Sequence, residues 1–268
     1  MPRPLWSGSL SFGLVNVPVE LHTAVRDRQL HFTQLHDSDG TPIEVRRWCT
    51  AEHEEVPWEE VGHGYELDDG RQVVLSDEEL EAAQPERTRT IDVEQFAALD
   101  EVDPMLLDHP YLLLPAGESD GTLRAYRLLH DVMADSETVA IARFVLRSKE
   151  YLAAIRADGP LLALSTMRFH DELRDPAQAD APSGRAAKPS ARELRAAVAL
   201  VESMASDFDA ARWRDRHRAR LRRIVDRKAE GKTVRAPREE PEPEATPDLM
   251  KALEASIARL EPAGSGSS

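Results

Sequence analysis

Arg143, Arg147 and Lys149 are separated by even steps in and just after a stretch, 139–147, that reads as a β-strand. Side chains of an extended strand alternate with a period of two, so the spacing predicts all three cations on one side. A same-side basic row suits tracking a phosphate backbone, although the pattern alone also fits the ordinary polar face of a strand. A denser run, Arg212-x-Arg-x-Arg-x-Arg-x-Arg-x-Arg-Arg223, carries two readings. It is either a solvated helix face, with Asp215 and Asp226 pairing nearby arginines, or a contact for phosphates or an acidic partner. Alternate spacing around a helix aims these arginines in several directions, so they cannot all meet one groove. Other chemistry is sparse. Glu230-Gly-Lys-Thr233 approaches a phosphate-binding loop, but Asp226 stands where the earlier glycine is needed. Cys49, His53 and His63 are three candidates where structural zinc needs four ligands, and a lone cysteine is the simpler reading. Carboxylates do not cluster around any glycine-rich cradle. The expectation is a clamp or scaffold with no catalytic residues, no metal and no cofactor.

The elements that must position these residues are mainly short strands. Segments 9–25, 31–36, 43–49, 71–75, 90–97, 111–115, 139–147 and 160–168 have β character. In the first of them Leu10, Phe12 and Leu14 alternate with Ser11 and Gly13, predicting one buried face. Gly8 and Gly13 allow a sharp bend or a close backbone approach, and Pro18 predicts a strand end, bulge or edge. Ser76-Asp-Glu-Glu79 is a capping box for a short helix to about Ala83. Leu123, Tyr126, Leu129, His130 and Met133 recur at helical spacing within 122–134. Many strands with one or two helices suggest a barrel-like or sandwich core within 1–175. After a connector over 176–190 the character changes. Ser190 to Glu193 caps a helix striped by Leu194, Val198, Val201 and Met204. A second helix from about Asp209 carries Trp213, His217, Leu221, Ile224 and Val225, with Gly231 as its stop. These form a helical arm over 190–231. A Pro/Glu linker spans 235–247, and Thr246-Pro247 starts a last helix, 247–260. Its stripe of Leu249, Leu253, Ile257 and Leu260 has no obvious intramolecular partner and is a candidate partner-binding face, the competing reading being that it folds back onto the barrel or arm. The Gly/Ser tail, 261–268, is expected to be disordered.

The chain has 268 residues, 31% charged, with a formal net charge of −15. That total argues against nucleic acid, yet charge is segregated: residues 209–238 hold 12 Lys/Arg against 4 Asp/Glu. No run is apolar enough to span a membrane, and Met-Pro-Arg-Pro-Leu-Trp6 lacks the apolar core of a secretory signal. A single cysteine fits a reducing compartment. The expectation is a cytoplasmic, nucleoid-associated protein with no membrane partner.

The word order Trp6, Gly8, Leu10, Phe12-Gly-Leu-Val15 and Val17-Pro-Val19 resembles the opening of the bacterial Ku family. The likeness continues in register through Val56-Pro-Trp-Glu-Glu-Val61, Gly64-Tyr-Glu66, Val102-Asp-Pro104, Arg143-Phe-Val-Leu-Arg147, Lys149-Glu-Tyr-Leu152, Asp207-Phe-Asp209 and Asp248-Leu-Met-Lys-Ala-Leu253. Many relatives carry a second thiol after the basic Arg46-Arg47 segment, where this chain has Cys49 and then His53. The resemblance implies a mixed, mainly β fold: a Ku-type β-barrel core with a C-terminal helical arm and a short terminal helix. It implies a homodimeric ring that threads onto double-stranded DNA ends and recruits the ATP-dependent end-joining DNA ligase. DNA contact then falls to Arg143, Arg147 and Lys149 with Arg46 and Arg47 as companions, and ligase contact to Leu249, Leu253, Ile257 and Leu260. The rival readings are a protein-interaction scaffold without DNA affinity and an end-processing lyase.

Overall fold

The structure, a computed structural model, describes residues 3–86, 88–178, 188–234 and 249–260. In chain order its first elements are β1 (Trp6–Phe12), β2 (Val15–Thr23), β3 (Trp48–Cys49), β4 (Glu54–Glu55), β5 (His63–Glu66), β6 (Gln72–Leu75) and α1 (Asp77–Ala82). There follow β7 (Thr90–Ala98), β8 (Leu107–Pro115), α2 (Asp120–Asp135), β9 (Thr138–Leu146), β10 (Lys149–Asp158) and β11 (Leu161–Met167). The helical part comprises α3 (Ala191–Met204), α4 (Arg216–Ala229) and α5 (Leu249–Leu260). The described residues form two units, a barrel unit (3–28 and 33–178) and a helical unit (29–32 with those from 188 onward).

Seven strands close in the order β1-β2-β8-β11-β10-β9-β7. All neighbours are antiparallel except the closing pair, β1 and β7, which run parallel through Ser9–Thr90, Leu10–Ile91 and Ser11–Asp92. β1 and β2 form a hairpin whose turn places Gly13 at a φ of 60°, where a side chain would be strained. The alternation of Leu10 and Phe12 is realised, with Leu10 buried and Phe12 packed against the core. Leu14 departs from it: the period ends at the turn, and Leu14 stands fully exposed at the hairpin tip. Pro18 neither ends nor bulges β2. It faces Ser9, and its carbonyl accepts from the Ala116 N–H (2.8 Å), so the missing donor falls at the last rung beside β8.

The barrel interior is filled by Val17, Val19, Leu21, Ile91, Leu113, Ala142, Phe144, Ile155, Leu162 and Leu164, all essentially without solvent exposure. Helix α2 closes one mouth with Tyr126, Leu129 and Met133. Burial of a phenol needs a partner for its hydroxyl. Tyr126 donates to the Leu113 carbonyl (2.7 Å) and accepts from the Leu162 N–H (2.7 Å), the two residues that face each other across β8 and β11. Burial pushes the phenol's pKa up, and the Leu162 N–H opposes it.

Two expected strands do not form. Segment 31–36 makes only the isolated bridge Leu35–Pro42, and 43–49 shrinks to β3. Leu35, Ile43 and Val45 are exposed, so their β propensity finds no sheet face to bury against. Conversely β10, a full strand, was not expected. The capping boxes at Ser76/Glu79 and Ser190/Glu193 are both present. The second arm helix begins later than Asp209. A 3-10 turn, Ala210–Arg212, intervenes, and Asp215 caps α4 through the Arg218 N–H (2.8 Å). At its end the Gly231 and Lys232 N–H groups bond back to Lys228 and Arg227 (both 2.9 Å), the double closure expected of a helix ending at glycine.

Within the helical unit α5 packs along α3, with Arg192 paired to Glu254 at 3.1 Å. Leu253 and Ile257 are thereby half-buried, whereas Leu249 is exposed. The reading that this helix folds back onto the arm is thus the one seen for Leu253 and Ile257 of the terminal stripe. Its counterpart on α3 is the side of Ala196, Ala197 and Leu200, which leaves Leu194, Val198, Val201 and Met204 exposed. The linker 235–247, its Thr246-Pro247 helix start and the tail 261–268 lie outside the described residues.

Barrel closure makes a demand on Gly8. A Cβ there would collide with the Arg89 carbonyl oxygen, a backbone atom that the Ser9 N–H bonds at 2.9 Å. Gly8→Ala is expected to cost about 1–3 kcal/mol, read as a lowered urea midpoint. Gly121→Ala, with nothing within 4 Å, should be neutral or stabilising in the same measurement.

Candidate nucleic-acid interface

The barrel mouth opposite α2 gathers the end of β9 and the start of β10 with the starts of β1 and β7. Leu146 pairs with Lys149, so the chain reverses through Arg147 and Ser148 alone. Both take positive φ, 52° and 68°. A two-residue reversal of this kind favours Asn-Gly, and holding a bulky side chain there costs stability. The expectation of one basic row is overturned by this turn. Period two holds only within one strand, and 143 to 149 spans two. Arg143 faces Leu152 and shares the outer side of the sheet with Ile141. Lys149 faces Leu146, on the core side with Phe144 and Tyr151.

The cations differ as much in their partners. Arg143 is held by Glu94 (3.0 Å) and Glu150 (3.0 Å), and the Glu150 hydrogen bond, then the Glu94 charge, raise its pKa. Arg46 is held by Glu44 (2.9 Å) and Glu55 (3.0 Å). Arg47 instead lies over the Trp58 ring, 4.3 Å from its centroid. Arg147 and Lys149 have no carboxylate partner among the described residues, and neither has Arg47. Structure also adds a residue that sequence reasoning missed. Arg89, likewise without a carboxylate among the described residues, borders with Arg147, Ser148, Thr88, Val145 and Trp6 a cavity of about 260 Å³. Its only sequence signal was its place just before a strand, because the parallel closure of β1 and β7 brings it there.

Below this cationic rim the mouth is aromatic. Trp6 meets Phe144 edge-on (6.2 Å), Phe144 lies 5.9 Å from Tyr151, and the Lys149 ammonium sits 5.1 Å over the Tyr151 ring. Nearby, His109 stacks edge-on against Tyr111 (4.9 Å). Burial, then Tyr151, pushes the Tyr111 phenol up, and the Arg147 charge opposes them. Exposed guanidinium and ammonium groups without acids can bind anions, and they carry no base preference when the anion is a phosphate diester. Elsewhere, Cys49 and His53 are joined through backbone only, the His53 N–H to the Cys49 carbonyl (3.0 Å). Among the described residues no three His, Cys, Asp or Glu come together as a metal site would require. Nor is any described helix long and apolar enough to cross a membrane.

The strained turn gives a direct test. Arg147→Gly should relieve about 1 kcal/mol of backbone strain. In a scanning calorimeter the melting point should rise by about 2–4 °C, unlike the usual outcome for a functionless surface change.

Comparison with known proteins bears on this geometry. The family model described as the Ku70/Ku80 beta-barrel domain matches residues 11–196. A "Non-homologous end joining protein Ku" from Anaeromyxobacter sp. (strain K) is 44% identical over 96% of this chain and 86% of its own length. One of the same name from Opitutus terrae is 40% identical over 86% of this chain and 82% of its own. That of Mycobacterium tuberculosis is 35% identical over 95% of this chain and 94% of its own. With a seven-stranded barrel closed through β1 and β7 and a family match over more than half its residues, this chain belongs to the Ku family.

Proposed function

We propose that this protein binds the ends of double-stranded DNA as a homodimeric ring, without sequence preference, in double-strand break repair by non-homologous end joining. The observation that carries the reading is a rim of acid-free cations, Arg89, Arg147 and Lys149, on the barrel that defines the family. The relatives' shared name supplies the pathway. Within the rim Arg147 and Lys149 are the principal phosphate contacts, with Arg47 on the β3–β4 excursion. Arg143 and Arg46 contribute less, because Glu94, Glu150, Glu44 and Glu55 already meet their charge.

Physical logic favours a ring for this task. A closed ring admits only a free end, so topology supplies end specificity while phosphate contacts supply affinity. Loading then needs neither ATP nor a metal. The exposed Leu194, Val198, Val201 and Met204 on α3 support a two-fold partner, since a second copy would cover them. Covalently closed circular duplex should bind much more weakly than linear duplex of the same length, and equal affinities would overturn the ring. Log affinity should fall with log salt by roughly 0.9 for each phosphate neutralised. Arg147→Gly, though more stable, should weaken every duplex alike and make that slope shallower by about one.

We further propose that the terminal segment 247–260 recruits the end-joining ligase, its helix α5 using the face that α3 leaves open, where Leu249 is exposed. Truncation after Pro237 should preserve end binding and reduce stimulation of the ligase. Because α5 packs on α3, it should also lower the thermal stability of the arm. Undiminished ligase stimulation would place recruitment elsewhere.

A further inference from the structure

Helix α4 holds six arginines and a lysine against one acid, Asp226, which is spent on Arg222 at 3.6 Å. Its start at Arg216 sorts the arginines by direction. Arg216, Arg220, Arg223 and Arg227 follow at steps of four, three and four, which is a single face of a helix. They span eleven residues, or roughly 16 Å. All four are exposed, and none meets a carboxylate among the described residues. The half-buried side of the helix is elsewhere, at Arg218, Leu221 and Ile224. The arginines thus include one regular row, where the alternate spacing alone suggested only scattered directions.

This row stands against the helix's own electrostatics. Like charges at spacings of three and four repel. Arg216 also occupies the N-terminal turn, where the helix dipole disfavours a cation and the one acid, the cap Asp215, is turned onto the Arg218 N–H. A merely solvated face mixes signs, as the Arg127–Asp131 pair does on α2. The row contains no apolar or aromatic member to anchor a protein interface. We infer that the Arg216, Arg220, Arg223 and Arg227 face of α4 is a second phosphate-backbone contact, separate from the barrel rim, that grips nucleic acid. It rests on the DNA-binding reading above, but it assigns that binding a site on the arm.

The test uses the full chain with Arg216→Gln, Arg220→Gln and Arg223→Gln combined. Arg227 is kept because its guanidinium also donates to the Thr233 carbonyl (3.2 Å) at the helix end. Unchanged circular dichroism guards against unfolding, and a matching Arg→Lys triple keeps the charge. With linear duplex the Gln triple should lose at least about tenfold in affinity at low salt, with a salt slope shallower by about 2–3. The Lys triple should keep the wild-type slope, since a phosphate needs only the charge. Sedimentation should show the same oligomeric mass for all three proteins. A drop in mass for the Gln triple would assign the row to an acidic surface of a second copy and overturn the inference, as would an unchanged affinity and slope. Retention on immobilised heparin judges the row by itself. Should wild-type protein fail to bind linear duplex, the end-binding reading falls. The row then stands as a polyanion site only if the Gln triple elutes from heparin earlier than wild type.

Discussion

Everything in the barrel unit depends on the short parallel pairing of β1 with β7. Six of the seven strand contacts are antiparallel ladders between long partners, and each would form in an open sheet. Only the closing contact turns that sheet into a tube, and it has three residue pairs plus the Ser9 N–H to Arg89 carbonyl bond. Its closeness is a matter of one missing atom, the Cβ of Gly8. Closure removes the sheet's edges, gives the core of Leu10, Ile91 and Phe144 its inner wall, and brings Arg89 beside Arg147. Core and rim are therefore products of the same contact.

A net charge of −15 coexists with this rim because a charge total says nothing of which cations meet acids. Arg46, Arg71, Arg143, Arg156 and Arg168 each sit within hydrogen-bonding distance of a carboxylate. Exposed pairs of that kind contribute little to stability, but they silence the cation toward an incoming anion. What matters for a polyanion is where cations stand together without acids among the described residues, as Arg89, Arg147 and Lys149 do at the barrel mouth and Arg216, Arg220, Arg223 and Arg227 do on α4. Total charge therefore describes the shell of the molecule and says little about its gripping surfaces.

Much of the fold was legible in the residues, and the misses have physical causes. The capping boxes at Ser76 and Ser190 announced their helices because the signal is local. So did Tyr126, Leu129 and Met133, whose spacing placed them on one buried face. The opening residues from Trp6 to Val19 carried the family and with it the barrel. Strand 31–36 failed because alternation reports a capacity to be buried, and no sheet lies there to bury it. The basic row failed because Arg147 and Ser148 are not residues that favour positive φ, so nothing in the residue types marked a two-residue reversal. Free and bound cations could not be told apart, since Glu94 reaches Arg143 only through the pairing of β7 with β9. On the arm, nothing in the sequence marked the face that α5 covers, because Ala196 and Ala197 are small and close helix packing selects small residues over the more conspicuous valines.

Sheet order also determines how the excursion from 24 to 89 is anchored. It departs from the end of β2 and returns at the start of β7, both at the rim, and only β1 separates the two strands. Two strand spacings of about 4.8 Å, with the stagger that sets the end of β2 beyond Trp6 and the start of β7 beside Ser9, put its two feet roughly 20 Å apart on one rigid wall. The excursion is thus an arch with fixed abutments. A force pulling it along the barrel axis loads the ladders on both flanks of β1 in shear, so their hydrogen bonds resist together instead of opening one after another. A cut anywhere in the span would leave two stubs, each still held by its own strand on either flank of β1.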